Sequence, residues 1–123
     1  MSSLTSEFAE AETGVFWDIV GCPVPDELSV ESVCEKIKSA LADDGYGGKV
    51  SIQAYCDTEE SKAAVVSAFE SSGIDLVCAG VGLSRRLRML QELASFAVHH
   101  EPSNLMLISK NVSSDSLCVL GSL

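Results

Sequence analysis

Four short apolar runs alternate with three amphipathic stretches of helical period, and this order constrains the fold more than anything else in the chain. The run at 14–19 (Gly-Val-Phe-Trp-Asp-Ile) and the run at 105–108 (Leu-Met-Leu-Ile) have the composition of strands buried on both faces. At 50–56, Val50, Ile52, Ala54 and Cys56 alternate with polar neighbours, which reads as a second strand, and 74–79 reads as a third. Between them Ser29 and Thr58 stand as helix N-caps. Val30, Val33, Cys34, Ile37 and Leu41 form the apolar stripe of the first helix, and Ala64, Val65, Ala68 and Phe69 that of the second, which stops at Gly73. In the third helix Leu83, Leu87, Leu90, Ala94 and Ala97 line one face, taken as the core face, with Met89, Leu93 and Phe96 flanking it and Pro102 ending it. Strands alternating with helices call for right-handed crossovers. The expected fold is a three-layer α/β sandwich, with a mostly parallel central sheet and helices on both faces. Residues 117–120 read as either a last short strand or a helical turn.

At 123 residues the chain fits one domain, expected over 13–123 and short at its C-terminus, after an acidic lead-in at 1–12 expected to be disordered. That lead-in has neither basic residues nor the apolar segment of a secretory signal, and no apolar run is long enough to span a membrane. Five scattered cysteines without a C-x-x-C pair suit buried, reduced thiols and hence a cytoplasmic or nuclear setting. Adjacent His99 and His100 cannot share a helix face, so no zinc pattern is read. A formal charge of −10 opposes non-specific attraction to phosphate backbones, although Arg85, Arg86 and Arg88 concentrate positive charge locally.

In a parallel sheet, chemistry collects outside the carboxyl ends of the strands. Four places qualify: Asp18, Asp57, the turn entering the Arg85 helix, and Lys110-Asn111. Asp18 closes a Phe-Trp strand and is the leading acid, with a turn-capping role on the Gly21 loop as its bland reading. Asp57 reads first as a cap beside Thr58 and second as a ligand. Arg85, Arg86, Arg88 and Lys110, with Asn111, form a possible anion-binding group near a helix N-terminus, or simply a solvated face in which Arg88 pairs with Glu92. No Ser-His-Asp set, activated cysteine or dinucleotide fingerprint is present.

The segments Phe-Trp-Asp-Ile at 16–19, Cys-Pro-Val-Pro at 22–25, Ile-Lys-Ser-Ala-Leu at 37–41, Val-Ser-Ile-Gln-Ala-Tyr at 50–55, Ala-Gly-Val at 79–81 and Asn-Leu-Met-Leu-Ile-Ser at 104–109 occur in unbroken order. Together they resemble the NYN domain of the plant limkain and meiosis-regulator type, which is similar to PIN-like ribonucleases of Rossmann-like fold. The resemblance implies metal-dependent RNA hydrolysis, with carboxylates holding Mg²⁺ or Mn²⁺, and family members associated with nuclear or peroxisomal settings. Asp18 matches the first family acid and Asp57 the second. The family's aspartates at the start of the third helix fall on Leu83 and Arg86, and its Ser-Gly-Asp-x-Asp-Phe segment falls on residues 109–114, where Lys110 and Asn111 stand. Its glutamate and asparagine after the first acid fall on Val20 and Gly21, and its later helix and last strand are largely missing.

Basic residues in ligand positions repel a dication and can pair with the remaining acids instead, Arg86 with Asp18 being the pairing to look for. Three readings follow. The first is a degenerate, cofactor-free domain that binds RNA or a protein partner. The second is an active Mg²⁺- or Mn²⁺-dependent endoribonuclease using Asp18 and Asp57 with a relocated Asp115 or Glu92. The third is a protein-interaction domain, such as a homodimer covering an open sheet edge.

Overall fold

The computed structural model describes residues 9–109 and the strand at 117–122. Its elements run β1 (Glu12–Asp18), α1 (Val30–Asp43), β2 (Val50–Cys56), α2 (Glu59–Ser71), β3 (Asp75–Cys78), α3 (Leu83–His99), β4 (Ser103–Ile108) and β5 (Leu117–Ser122). The sheet order is β3-β2-β1-β4-β5. The first four strands are mutually parallel, and β5 joins β4 antiparallel, which resolves the ambiguous last segment as a strand. The expected α/β class with a mostly parallel sheet is what forms. Of the acidic lead-in, residues 1–8 lie outside the described residues; beyond them the Ala9 carbonyl accepts from the Gly47 amide, and Ala11 is buried.

Strand alternation divides the core in two. Val15, Trp17, Ile52, Ala54, Cys56, Leu76 and Met106 face Cys34, Ile37 and Leu41 of α1 and Phe69 of α2. Phe16, Tyr55 and Leu105 point the other way, onto Met89, Leu93 and Ala97 of α3. Ser29 and Thr58 cap α1 and α2 as expected, each hydroxyl oxygen accepting from the amide three residues on. On α2, Phe69 is buried and Val65 partly so, but Ala64 and Ala68 are exposed.

The third helix departs most from the sequence reading. Its sheet-facing stripe is Met89, Leu93 and Ala97, with Phe96 beside it, while Leu83, Leu87, Leu90 and Ala94 lie exposed. Both stripes repeat at helical spacing, so apolar content alone does not choose between them. The choice is made by shape and by polar anchors. Phe96 lies against the strand at Gly14, where a Cβ would fall 2.8 Å from its ring, and it meets Phe16 edge-on at 5.8 Å between ring centroids. Small Ala97 lets the helix axis approach the sheet, and Glu92 reaches down to Tyr55 and Gln53.

Replacing Gly14 by Ala is therefore expected to lower folding stability by about 1–3 kcal/mol, as overpacking of a filled core does. Urea titration measures the change. The same substitution at Gly47, where the nearest atom to a new Cβ is 3.9 Å away, is expected to cost far less.

Candidate functional site

Asp18 is the last residue of β1 and shares strand parity with Gly14 and Phe16, so its side chain belongs to the α3 face of the sheet. It is buried, at 8% exposure. One carboxylate oxygen, Oδ1, accepts the Val20 amide at 3.0 Å and the Gly21 amide at 3.3 Å, closing the turn that leaves the strand. The turn-capping role read from sequence is thus present. The same oxygen also accepts from Nε of Arg85 at 3.0 Å. Arg85 in turn donates from a terminal nitrogen to the Gly80 carbonyl at 3.1 Å, which ties the guanidinium to the β3–α3 turn as well as to β1.

That turn is built on glycine. Gly80 and Gly82 hold φ of 87° and 54°, a region that side chains with a Cβ rarely adopt, and Gly82 is the N-cap of α3 without a side-chain acceptor. The chain can thereby swing from β3 into α3 within four residues and bring the helix's first turn over the end of β1.

Arg85 rather than Arg86 makes the bond to Asp18, which corrects the expected pairing. The reason is the helix rotation: Arg85, Met89, Leu93 and Ala97 succeed one another at intervals of four along the sheet-facing side. With Leu83, Leu87 and Leu90 taken as the core face, Arg85 would have pointed away from the sheet. Arg86 is exposed and makes no ion pair among the described residues. Arg88 pairs with Glu92 as an i, i+4 neighbour.

Asp57 follows β2 and is partly exposed. Its carboxylate accepts the Thr58 amide at 2.9 Å. The Ser61 hydroxyl above all, then the nearby amides and the positive field of Arg85, hold it below the ordinary aspartate range. Arg85 is therefore the group whose charge acts on both acids. Lys110, Asn111 and Asp115 lie outside the described residues.

Glu92, a possible relocated ligand, is committed elsewhere. One of its oxygens accepts from the Tyr55 hydroxyl at 2.7 Å and from the Gln53 side-chain amide, and the other from Arg88. Among the described residues no three His, Cys, Asp or Glu side chains are grouped as a metal-holding set. Four described cysteines are free, and burial pushes the Cys34 and Cys56 thiols up, away from nucleophilic thiolate. No described helix is long and apolar enough to cross a membrane. A cleft of about 260 Å³ opens on the α3 side of the sheet, lined by Gly14, Ser51, Gln53, Asp75 and Phe96 among others, but Asp18, Asp57 and Arg85 do not border it.

Removing Arg85 leaves a buried carboxylate with backbone partners only, so Arg85→Ala is expected to destabilise the fold by about 1–3 kcal/mol, against less than about 0.5 kcal/mol for Arg86→Ala. Chemical denaturation of the two variants side by side checks the assignment. Tyr55 supplies a pH test. Burial first, and then its bond to Glu92, raises its phenol well above the usual range near 10. A raised folded pKa means that this stabilisation is full below the unfolded value and is lost as pH rises beyond about 10. Tyr55→Phe is expected to flatten that alkaline loss of stability, measured by thermal melts from neutral pH upward.

A family model described as the NYN domain matches residues 12–118, nearly all of the ordered sheet and its helices. No curated protein matches the chain.

Proposed function

The chain belongs to the NYN domain family, a PIN-like ribonuclease family, and from that premise we propose that it is a degenerate member acting as a protein-interaction module with little or no nuclease activity. Within the family we place it with the limkain and meiosis-regulator type, on the ordered motifs from Phe16 to Ser109. The observation that carries the degenerate reading is the guanidinium of Arg85 seated on Asp18.

A hard dication such as Mg²⁺ or Mn²⁺ needs several converging oxygens with free lone pairs. Oδ1 of Asp18 already takes three donors, and the group nearest it is a fixed positive charge, which repels a cation. Asp57 is occupied with capping, and Glu92 with Tyr55, Gln53 and Arg88. These residues do not fit the metal that the family implies.

Protein rather than RNA is favoured as partner by how the cations are used. Arg85 neutralises Asp18 and Arg88 neutralises Glu92, so two of the three clustered arginines are spent within the fold, against an overall charge of −10. Exposed leucines on α3 offer apolar area instead. Among the described residues, RNA binding is supported by the exposed Arg86 beside the glycine-capped start of α3.

Purified protein is expected to leave single-stranded and structured RNA uncut with Mg²⁺ or Mn²⁺. Cleavage that disappears in Asp18→Asn would overturn the proposal in favour of an active endoribonuclease. In fluorescence anisotropy, salt-sensitive RNA binding that Arg86→Ala weakens about tenfold would favour the RNA-binding reading.

A further inference from the structure

We propose that Cys56 and Cys78 are a redox pair, which a hydroperoxide closes into a reversible disulfide across the C-terminal ends of β2 and β3. The pair lies outside the interaction-module reading and stands independently of it. The two residues are register partners on adjacent parallel strands, and each is the last residue of its strand. Both side chains lie on the face turned to α1 and α2, Cys56 within that core and Cys78 packed against it. No other two described cysteines are strand partners.

Register brings the pair within bridging range. Neighbouring strands run about 4.8 Å apart, and disulfides span α-carbon separations of about 4.4–6.8 Å. The sulfurs also reach across the gap between the strands: Sγ of Cys56 lies 3.5 Å from the Val77 carbonyl oxygen on β3, and Sγ of Cys78 lies 3.6 Å from the Asp57 carbonyl oxygen just past β2. Burial first, and then the neighbouring Cys78 sulfur, push the Cys56 thiol up, so each sulfur stands in the other's field. Bridged β-carbons sit about 3.5–4.5 Å apart, which is less than the strand spacing, so one strand end has to close in by a fraction of an ångström. β3 can do this. It has four residues, lies at the edge of the sheet and runs directly into the turn at Gly80, where φ is 87°. A bridge drawn slightly off its relaxed geometry is also the more easily reduced, as a reversible one must be.

Exposure sets the order of events. Cys78 is partly exposed, whereas Cys56 is 1% exposed and its thiol is held in the protonated form. The Cys78 thiolate attacks one oxygen of hydrogen peroxide: an S–O bond forms, the O–O bond breaks, and the leaving oxygen takes up a proton and departs as water. The Cys56 sulfur then displaces the sulfenic oxygen of Cys78. An S–S bond replaces the S–O bond, and the Cys56 proton leaves with that oxygen as a second water. Two thiols and one peroxide thus give one disulfide and two waters, two electrons passing from the sulfurs to the peroxide oxygens. Proximity offsets the small thiolate fraction at Cys56. Cys34 takes no part, because it is buried with its thiol directed to the Ser72 carbonyl at 3.9 Å.

Treating the full chain with one equivalent of hydrogen peroxide, alkylating the remaining thiols in denaturant and mapping the peptides by mass spectrometry tests the proposal. The expected result is a Cys56–Cys78 cross-link, with the loss of two of the chain's five thiols and their return on adding dithiothreitol. Dimedone is expected to trap a sulfenic acid at Cys78 in Cys56→Ala, and in Cys78→Ser Cys56 is expected to stay a thiol. A chain that loses no thiol, a link between other cysteines in place of this pair, or Cys78 carried on to sulfinic acid while Cys56 stays free overturns the proposal. So does a link that forms only in the urea-unfolded chain. The map of the unsubstituted chain decides the matter on its own where a variant fails to fold.

Discussion

The rotation of α3 about its own axis is the constraint on which the rest of the structure depends. The helix has two apolar stripes, and either could face the sheet as far as hydrophobic burial is concerned. Three contacts choose Met89, Leu93 and Ala97: the Arg85–Asp18 pair at the N-terminal end, the Glu92–Tyr55 bond in the middle and the Phe96 ring against Gly14 towards the C-terminal end. Each is modest alone. A net hydrogen bond contributes about 1 kcal/mol, and leaving a buried hydroxyl such as that of Tyr55 unpaired costs about 1–3 kcal/mol. Spread along about three turns of one helix, they suffice to decide between stripes of similar apolar content.

The same rotation decides what the strand-end acid can do. A carboxylate at the end of β1 is held there by two backbone amides, so its position is fixed whether or not a ligand comes. What differs is the counter-charge. A divalent ion exchanges with solvent and brings open coordination positions, while a guanidinium on a packed helix is permanent and has no position for an attacking water. The pairing is a structural joint between β1, the β3–α3 turn and α3.

The layer order was legible because strand and helix periods differ and because the caps Ser29 and Thr58 sit where the periods change. The stripe of α1 was legible for the same reason, since only one face of that helix is apolar. With α3 the period was visible but its phase was not. Polar residues that anchor a helix, such as Glu92, look in sequence like members of a solvated face, and the Arg88–Glu92 spacing reinforces that impression. The family's acid position points to Arg86, whereas the phase of α3 brings Arg85 to Asp18. A signal was available in Gln53 and Tyr55, polar groups on a strand face that needed a partner from whichever helix covered them, and Glu92 is the acid on α3 able to supply one. The assignment of acids was legible in position but not in role, because a capping aspartate and a ligating one occupy the same place in the chain.

The ion pair at the strand end and the exposed leucine row are two consequences of one geometry. Turning the leucine stripe inward would require breaking Arg85 from Asp18 and Glu92 from Tyr55 together, since both residues lie on the side of α3 that the turn would carry away from the sheet. The ion pair that occupies the strand end thus also holds Leu83, Leu87 and Leu90 in solvent. An exposed row of leucines is costly to keep in a free monomer, and it gives back that cost only when something covers it.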